Sequence, residues 1–145
     1  MTLHVHVCRE YPMAAMYLYG CTALRALPVS LGDLKHLTHI DLGECAALTH
    51  LPEGVGALGK LRSLNLHRCA SMRHLPPFST LLALEVLDLS RCSALEALPE
   101  GLETLPELST LRLDGCSLLP LQVRIDRALP PRRPSLSRRD GGSDG

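Results

Sequence analysis

Cysteine returns along this chain at nearly fixed intervals. Five of the six stand at 21, 45, 69, 92 and 116, so the spacings are 24, 24, 23 and 24, and Cys8 lies outside this ladder. A fixed period of this length is the mark of a repeat architecture, and it has to be read before any other feature. Aligned on the cysteine, the remaining columns fill with aliphatic residues. Three residues before it come Leu18, Leu42, Leu66, Leu89 and Leu113. Five before it come Met16, Ile40, Leu64, Leu87 and Leu111, and eight before it Met13, Leu37, Leu61, Leu84 and Leu108. Three after it come Leu24, Leu48, Met72, Leu95 and Leu119. Six after it, four units read Leu-Pro, at Leu27-Pro28, Leu51-Pro52, Leu75-Pro76 and Leu98-Pro99.

Each unit contains a short alternating stretch, such as His-Ile-Asp-Leu-Gly or Ser-Leu-Asn-Leu-His, which predicts a strand with one face buried. The rest of the unit carries leucines at spacings of three, broken by Pro and Gly. Proline blocks a regular helix there, so turns, extended chain or short 3-10 segments are expected. One unit cannot bury its own leucines, whereas stacked units can, strand beside strand at about 4.8 Å. The 32 leucines supply the core, because aromatics are only 3% of the chain. The cysteine follows the strand where the chain turns inward. It serves there as a small buried group with a weak S–H donor for nearby carbonyls. Neighbouring units at about 5 Å are within bridging range for a disulfide. With no export signal at the start, however, a reducing compartment and free thiols are expected.

The stretch LKHLTHIDLGECAALTHLPEGVGAL resembles a leucine-rich repeat of the form L-x-x-L-x-x-L-x-L-x-x-C-x-x-L-x-x-L-P. Cysteine in the place of the usual asparagine, and the C-x-x-L-x-x-L-P spacing, are most similar to the repeats of plant intracellular immune receptors of the TIR-containing class. The resemblance covers residues 13–121. It implies an α/β leucine-rich-repeat solenoid of about five coils. Its parallel sheet lies on the concave side, and loops and short 3-10 turns with little regular helix lie on the convex side. It also implies a recognition module in defence or signalling. The nucleotide-binding motif G-x-x-x-x-G-K-[ST] does not occur in the chain.

The ends depart from the repeat. Residues 1–12 are read as an eroded repeat or cap, with Leu3 and Val7 in the slots of Leu27 and Leu31 but Glu10 where other units carry leucine. Residues 122–145 are read as an irregular last turn followed by an Arg/Pro/Ser/Gly-rich tail whose composition cannot bury a core, and which is expected to be disordered. Within it, Arg132-Arg133-Pro134-Ser135-Leu136 is similar to a basophilic kinase site, which makes Ser135 a phosphorylation candidate.

Candidate binding residues follow from the outward strand positions. Four before cysteine come Tyr17, Asp41, Asn65, Asp88 and Arg112; two before come Tyr19, Gly43, His67, Ser90 and Asp114; six before, His39 is the notable member. Tyr17, Tyr19, His39, Asp41, Asn65, His67, Asp88, Arg112 and Asp114 are therefore expected to form a protein- or peptide-binding face, with tyrosines beside charges as its anchors. Catalysis is not expected. His67 and Ser90 neighbour each other with Asp41 and Asp88 near, but an open sheet excludes no water and forms no oxyanion hole. His50 and His74 share a column with Ala26 and Ala97, which places them on the convex surface. His4, His6 and Cys8 alternate, yet lack a fourth ligand, so neither metal nor cofactor is expected. Formal net charge is +0 and the pI about 7.0, which gives no drive toward nucleic acid or an anionic membrane. No apolar run reaches the ~18 residues of a membrane span. The expected setting is cytoplasmic. A second reading is a structural spacer or a piece of a larger receptor.

Overall fold

A computed structural model of the chain describes residues 14–120. In every unit, two side chains five and three residues before the cysteine point to one side while their neighbours point to the other. This alternation produces five three-residue strands: β1 (Ala15–Tyr17), β2 (His39–Asp41), β3 (Ser63–Asn65), β4 (Val86–Asp88) and β5 (Thr110–Arg112). They form one parallel sheet in chain order. The register places repeat columns opposite one another: Met16 pairs with Ile40, Ile40 with Leu64, Leu64 with Leu87, and Leu87 with Leu111. The unit that is one residue short keeps this register, because its missing residue falls in the segment after Met72 and not in the strand.

On leaving the strand, each chain turns through a tight bend. The cysteine N–H donates to the carbonyl of the leucine three residues before it, as in Cys45 to Leu42 at 3.2 Å. The residue immediately before the cysteine is left-handed in all five units: Gly20, Glu44, Arg68, Arg91 and Gly115. The chain then runs through the Leu-Pro pair. Pro28 and Pro52 hold extended backbone (φ −70° and −67°) and stand directly before 3-10 helices at Val29–Asp33 and Glu53–Ala57. A third 3-10 helix spans Leu102–Thr104. Between the first two, Gly32 and Gly54 bring the backbones into contact. A Cβ on Gly32 would lie 2.8 Å from the Gly54 Cα, so no larger residue fits. The short unit carries Pro76-Pro77 there and forms no 3-10 helix; its Phe78 turns inward instead and is fully buried.

The core is one continuous aliphatic cluster between the sheet and these segments. Leu37, Leu42, Leu48, Leu58, Leu61, Leu66, Leu84 and Leu89 have no exposed surface. Each such side chain contributes about 1.5–3 kcal/mol by leaving water. Cys45, Cys69, Cys92 and Cys116 are also buried, and the five described cysteines are free thiols. Cys21 differs in being half-exposed, because no earlier unit among the described residues closes over it. No helix among the described residues is long and apolar enough to cross a membrane. The expected N-terminal repeat remnant at 1–12 and the tail at 122–145 lie outside the described residues.

Candidate functional site

The sheet's outer face carries the residues expected to bind, but the structure divides them into two groups. Asp41, Asn65 and Asp88 are half-buried and engaged. Each accepts a hydrogen bond from the backbone N–H two residues on: Asp41 from Gly43, Asn65 from His67 and Asp88 from Ser90, each at 2.9 Å. The side chain closes the end of its own strand in the manner of an Asx turn. Asp41 also accepts the Asn65 amide at 2.9 Å, which ties two neighbouring units together. Three residues expected as contact groups thus hold the strand ends in place. His67 is half-buried too, beside Ser90, whereas Tyr17, Tyr19, His39, Arg112 and Asp114 are exposed.

Tyr17 and Tyr19 show 70% and 56% of their surface to solvent, which makes them the large apolar groups of this face. The Tyr19 ring lies on Gly43, where a Cβ would come within 2.9 Å of its Cδ2. Its hydroxyl donates to Glu44 Oε1 at 2.7 Å. That hydrogen bond, with desolvation and the Glu44 charge behind it, raises the Tyr19 phenol above its usual pKa. Glu44 Oε1 in turn lies 3.5 Å from the Arg68 guanidinium.

His67 and Ser90 do meet, with His67 Nδ1 2.8 Å from Ser90 Oγ. The Ser90 hydroxyl donates to Asp88 Oδ1, however, and Arg112 stands 3.9 Å from Asp88 Oδ2. With the hydroxyl hydrogen given to Asp88, the contact with His67 requires Nδ1–H as the donor. A general base needs the opposite polarity at that atom. The chain of contacts is therefore one of positioning, running from His67 through Ser90 to Asp88 and Arg112.

Beside the sheet runs a trough of about 650 Å³. The residues just before the cysteines, Glu44, Arg68, Arg91 and Gly115, form part of its lining, and so do the small residues just after them, Ala46, Ala70 and Ser93, with Thr22 and Asp114 at its ends. The column just before the cysteines counts among the outward positions of the face by its place in the repeat but not among the residues expected to bind, and the column just after them was not singled out at all. The sequence did hold a signal for the first of them, since it contains glycine at both ends of the ladder, at Gly20 and Gly115. Glu44, Arg68 and Arg91 occupy the same slot with φ of 60°, 59° and 60°. For a residue with a Cβ, that conformation costs about 1–2 kcal/mol.

The cysteine ladder is chemically quiet. Burial pushes the Cys45 thiol up and the Cys69 and Cys92 thiols up to about 12. The thiolate is the reactive form, so these groups are poor nucleophiles. Among the described residues no group of three or more His, Cys, Asp or Glu side chains could hold a metal ion. His50 and His74 are exposed. His4, His6, Cys8 and Ser135 lie outside the described residues. No protein-family model matches the chain, and no curated protein matches it.

Proposed function

We propose that this chain is a leucine-rich-repeat solenoid that acts as a non-catalytic interaction module, binding a protein or peptide across the concave face of its sheet. The observation that carries this reading is the outer face itself. Five parallel strands present one continuous polar surface, with the exposed tyrosines Tyr17 and Tyr19 at one end and Arg112 and Asp114 at the other. Rigid aromatic rings beside charged groups supply large contact area at little loss of side-chain freedom. The underlying strands are fixed by the Asp41, Asn65 and Asp88 turns, so the surface is organised before a partner arrives. The cysteine-type repeat pattern supports a role in defence or signalling inside the cell.

The test is a crosslinking pull-down from the source cells with wild type and a Tyr17→Glu, His39→Glu, Arg112→Glu variant. These three side chains are exposed and accept no backbone hydrogen bond, unlike Asp41 and Asp88, whose replacement would disturb the strands. Both proteins are first matched by circular dichroism. Partners held by wild type and lost by the folded variant are expected. Equal capture by both would remove the sheet face as the binding surface.

A further inference from the structure

The trough beside the sheet has properties that the sheet face lacks. We infer that it binds a short extended segment of a partner protein carrying a single acidic residue, with Arg91 and Arg68 holding that carboxylate side chain. This inference rests on the peptide-binding reading above and places the contact in a different set of residues.

Three observations lead there. The first is conformational. Glu44, Arg68 and Arg91 are charged residues at left-handed positions, while Gly20 and Gly115 fill the same slot at the ends of the ladder without strain. Strain of this kind is characteristic of functional positions. Glu44 finds an internal use, accepting the Tyr19 hydroxyl and neighbouring Arg68. Arg91 finds none: its guanidinium has no ion-pair partner among the described residues.

The second observation concerns reach. Gly115 leaves room for the Arg91 side chain, since a Cβ there would lie 3.1 Å from Arg91 Cγ. The arginine stem is thereby supported by the next unit, and the guanidinium is carried into the trough. Arg68 approaches Glu44 only at 3.5 Å, and that carboxylate oxygen already accepts a phenol. Both guanidinium groups therefore keep free N–H donors, and paired donors of this geometry match a carboxylate.

The third observation is the order of charge. Along the ladder the trough reads Glu44, Arg68, Arg91, Asp114, negative at both ends and positive in the middle. An isolated acidic side chain is attracted to the centre, and a second one is repelled at either end. A polyanion such as nucleic acid would meet both acidic ends, so a short segment with one acidic residue and neutral or basic neighbours is the better complement. Ala46, Ala70 and Ser93 leave space for its backbone. An extended chain advances about 3.3 Å per residue against about 4.8 Å between units, so a few residues cross both arginines.

The experiment is selection of a random displayed peptide library on the full chain, followed by affinity measurement on Arg91→Gly, Arg68→Gly and Arg73→Ala. Glycine removes the guanidinium and also suits the left-handed backbone, and circular dichroism matched to wild type separates loss of binding from unfolding. Arg73→Ala removes an arginine paired with Glu96 outside the trough. Enriched peptides carrying Asp or Glu are expected. Their affinity will fall at least about tenfold on Arg91→Gly, or on Glu→Gln in the peptide, and will be unchanged on Arg73→Ala. Enriched peptides without an acidic residue, or ones indifferent to Arg91→Gly, would overturn the trough. Indifference to Arg91→Gly together with loss on Tyr17→Glu would overturn the trough and leave the sheet-face reading standing. No enrichment on the wild-type chain would overturn the trough and leave the sheet-face reading to the pull-down above.

Discussion

The Cys69 thiol donates to the carbonyl oxygen of Leu42, 3.1 Å away and one unit earlier in the ladder. Cys45 bonds Leu18, Cys92 bonds Leu66 and Cys116 bonds Leu89 in the same way. The carbonyl concerned already takes the cysteine N–H of its own turn, so the thiol joins the turn of one unit to the body of the next. Cys69→Ala removes that donor and opens a small void among buried leucines. A loss of about 1–3 kcal/mol in urea unfolding is expected. Cys21→Ala is the internal comparison. Cys21 is half-exposed, donates to no earlier unit among the described residues, and is expected to change stability by less than about 0.5 kcal/mol. Equal losses at the two sites would mean that the thiol acts through volume and not through its hydrogen bond.

The same burial sets a dependence on pH. The Cys69 and Cys92 thiols rise from an ordinary value of 9.0 to about 12, chiefly because burial penalises the thiolate. In the fold they keep their protons above pH 9, whereas in the unfolded chain they give them up. The unfolded state therefore binds fewer protons between these values, and stability falls as pH rises through the window. The contribution is complete below about pH 9 and declines toward 12. Urea midpoints across this range will show the decline, and it will be shallower in Cys69→Ala. A flat profile would contradict the buried neutral ladder.

What the sequence made legible was register. Cysteine counting alone aligns Ile40 with Leu64 and Leu64 with Leu87, and the sheet pairs them so. The unit with Pro76-Pro77 kept its strand position because the pattern of buried leucines, not chain length, sets which face is inward. Partnership was not legible. Alternation puts Asp41, Asn65 and Asp88 on the outer face, but it cannot say that a short acceptor side chain will turn back onto the N–H two residues later. Nor does Glu44 or Arg91 announce a left-handed backbone. Only Gly20 and Gly115, read as members of the same column, carry that message, and it concerns their neighbours more than themselves.

The role of Asp41 as a strand closure can be separated from any role in binding. Asp41 accepts both the Gly43 N–H and the Asn65 amide. Asp41→Ala leaves both donors without their partner and is expected to cost about 1–3 kcal/mol. Asp41→Asn retains an acceptor oxygen and recovers part of the loss. Tyr17→Ala, on the neighbouring exposed position, is expected to stay within about 0.5 kcal/mol. Thermal or urea unfolding of the three variants decides the matter. A neutral Asp41→Ala would return that residue to the pool of free surface groups.

Arg91→Gly tests the left-handed slot through stability alone. Relief of about 1–2 kcal/mol of backbone strain is opposed by about 0.5–1 kcal/mol of added freedom in the unfolded chain, so a gain of up to about 1 kcal/mol is expected. Glu44→Gly will gain less, since it forfeits the Tyr19 hydrogen bond. Gly115→Ala moves the other way. Its φ of 78° and the Arg91 Cγ at 3.1 Å both oppose a Cβ, and a loss of about 1–2 kcal/mol follows. Destabilisation by Arg91→Gly would show that its stem across Gly115 contributes more packing than the backbone strain removes.

Stability along a stack of units is a sum over each unit and its neighbours, so the ends are weaker than the middle. The burial pattern follows that rule. In the strand column Met16, Ile40, Leu64 and Leu87 are buried and Leu111 in β5 is only half-buried, while in the column just after the strands Leu42, Leu66 and Leu89 are fully buried and Leu18 after β1 is half-buried. The middle also holds Phe78, whose amide bonds the Glu100 carbonyl of the next unit at 2.8 Å and whose ring is fully enclosed. Amide hydrogen exchange is expected to be slowest in β3 and β4 and fastest in β1 and β5, each strand opening with its own free energy. Phe78→Ala, at a cost of about 3–5 kcal/mol, will collapse this gradient by weakening the centre. The central amides will then exchange as fast as the terminal ones. If they keep their protection in Phe78→Ala, the two halves of the ladder fold without needing the short unit between them.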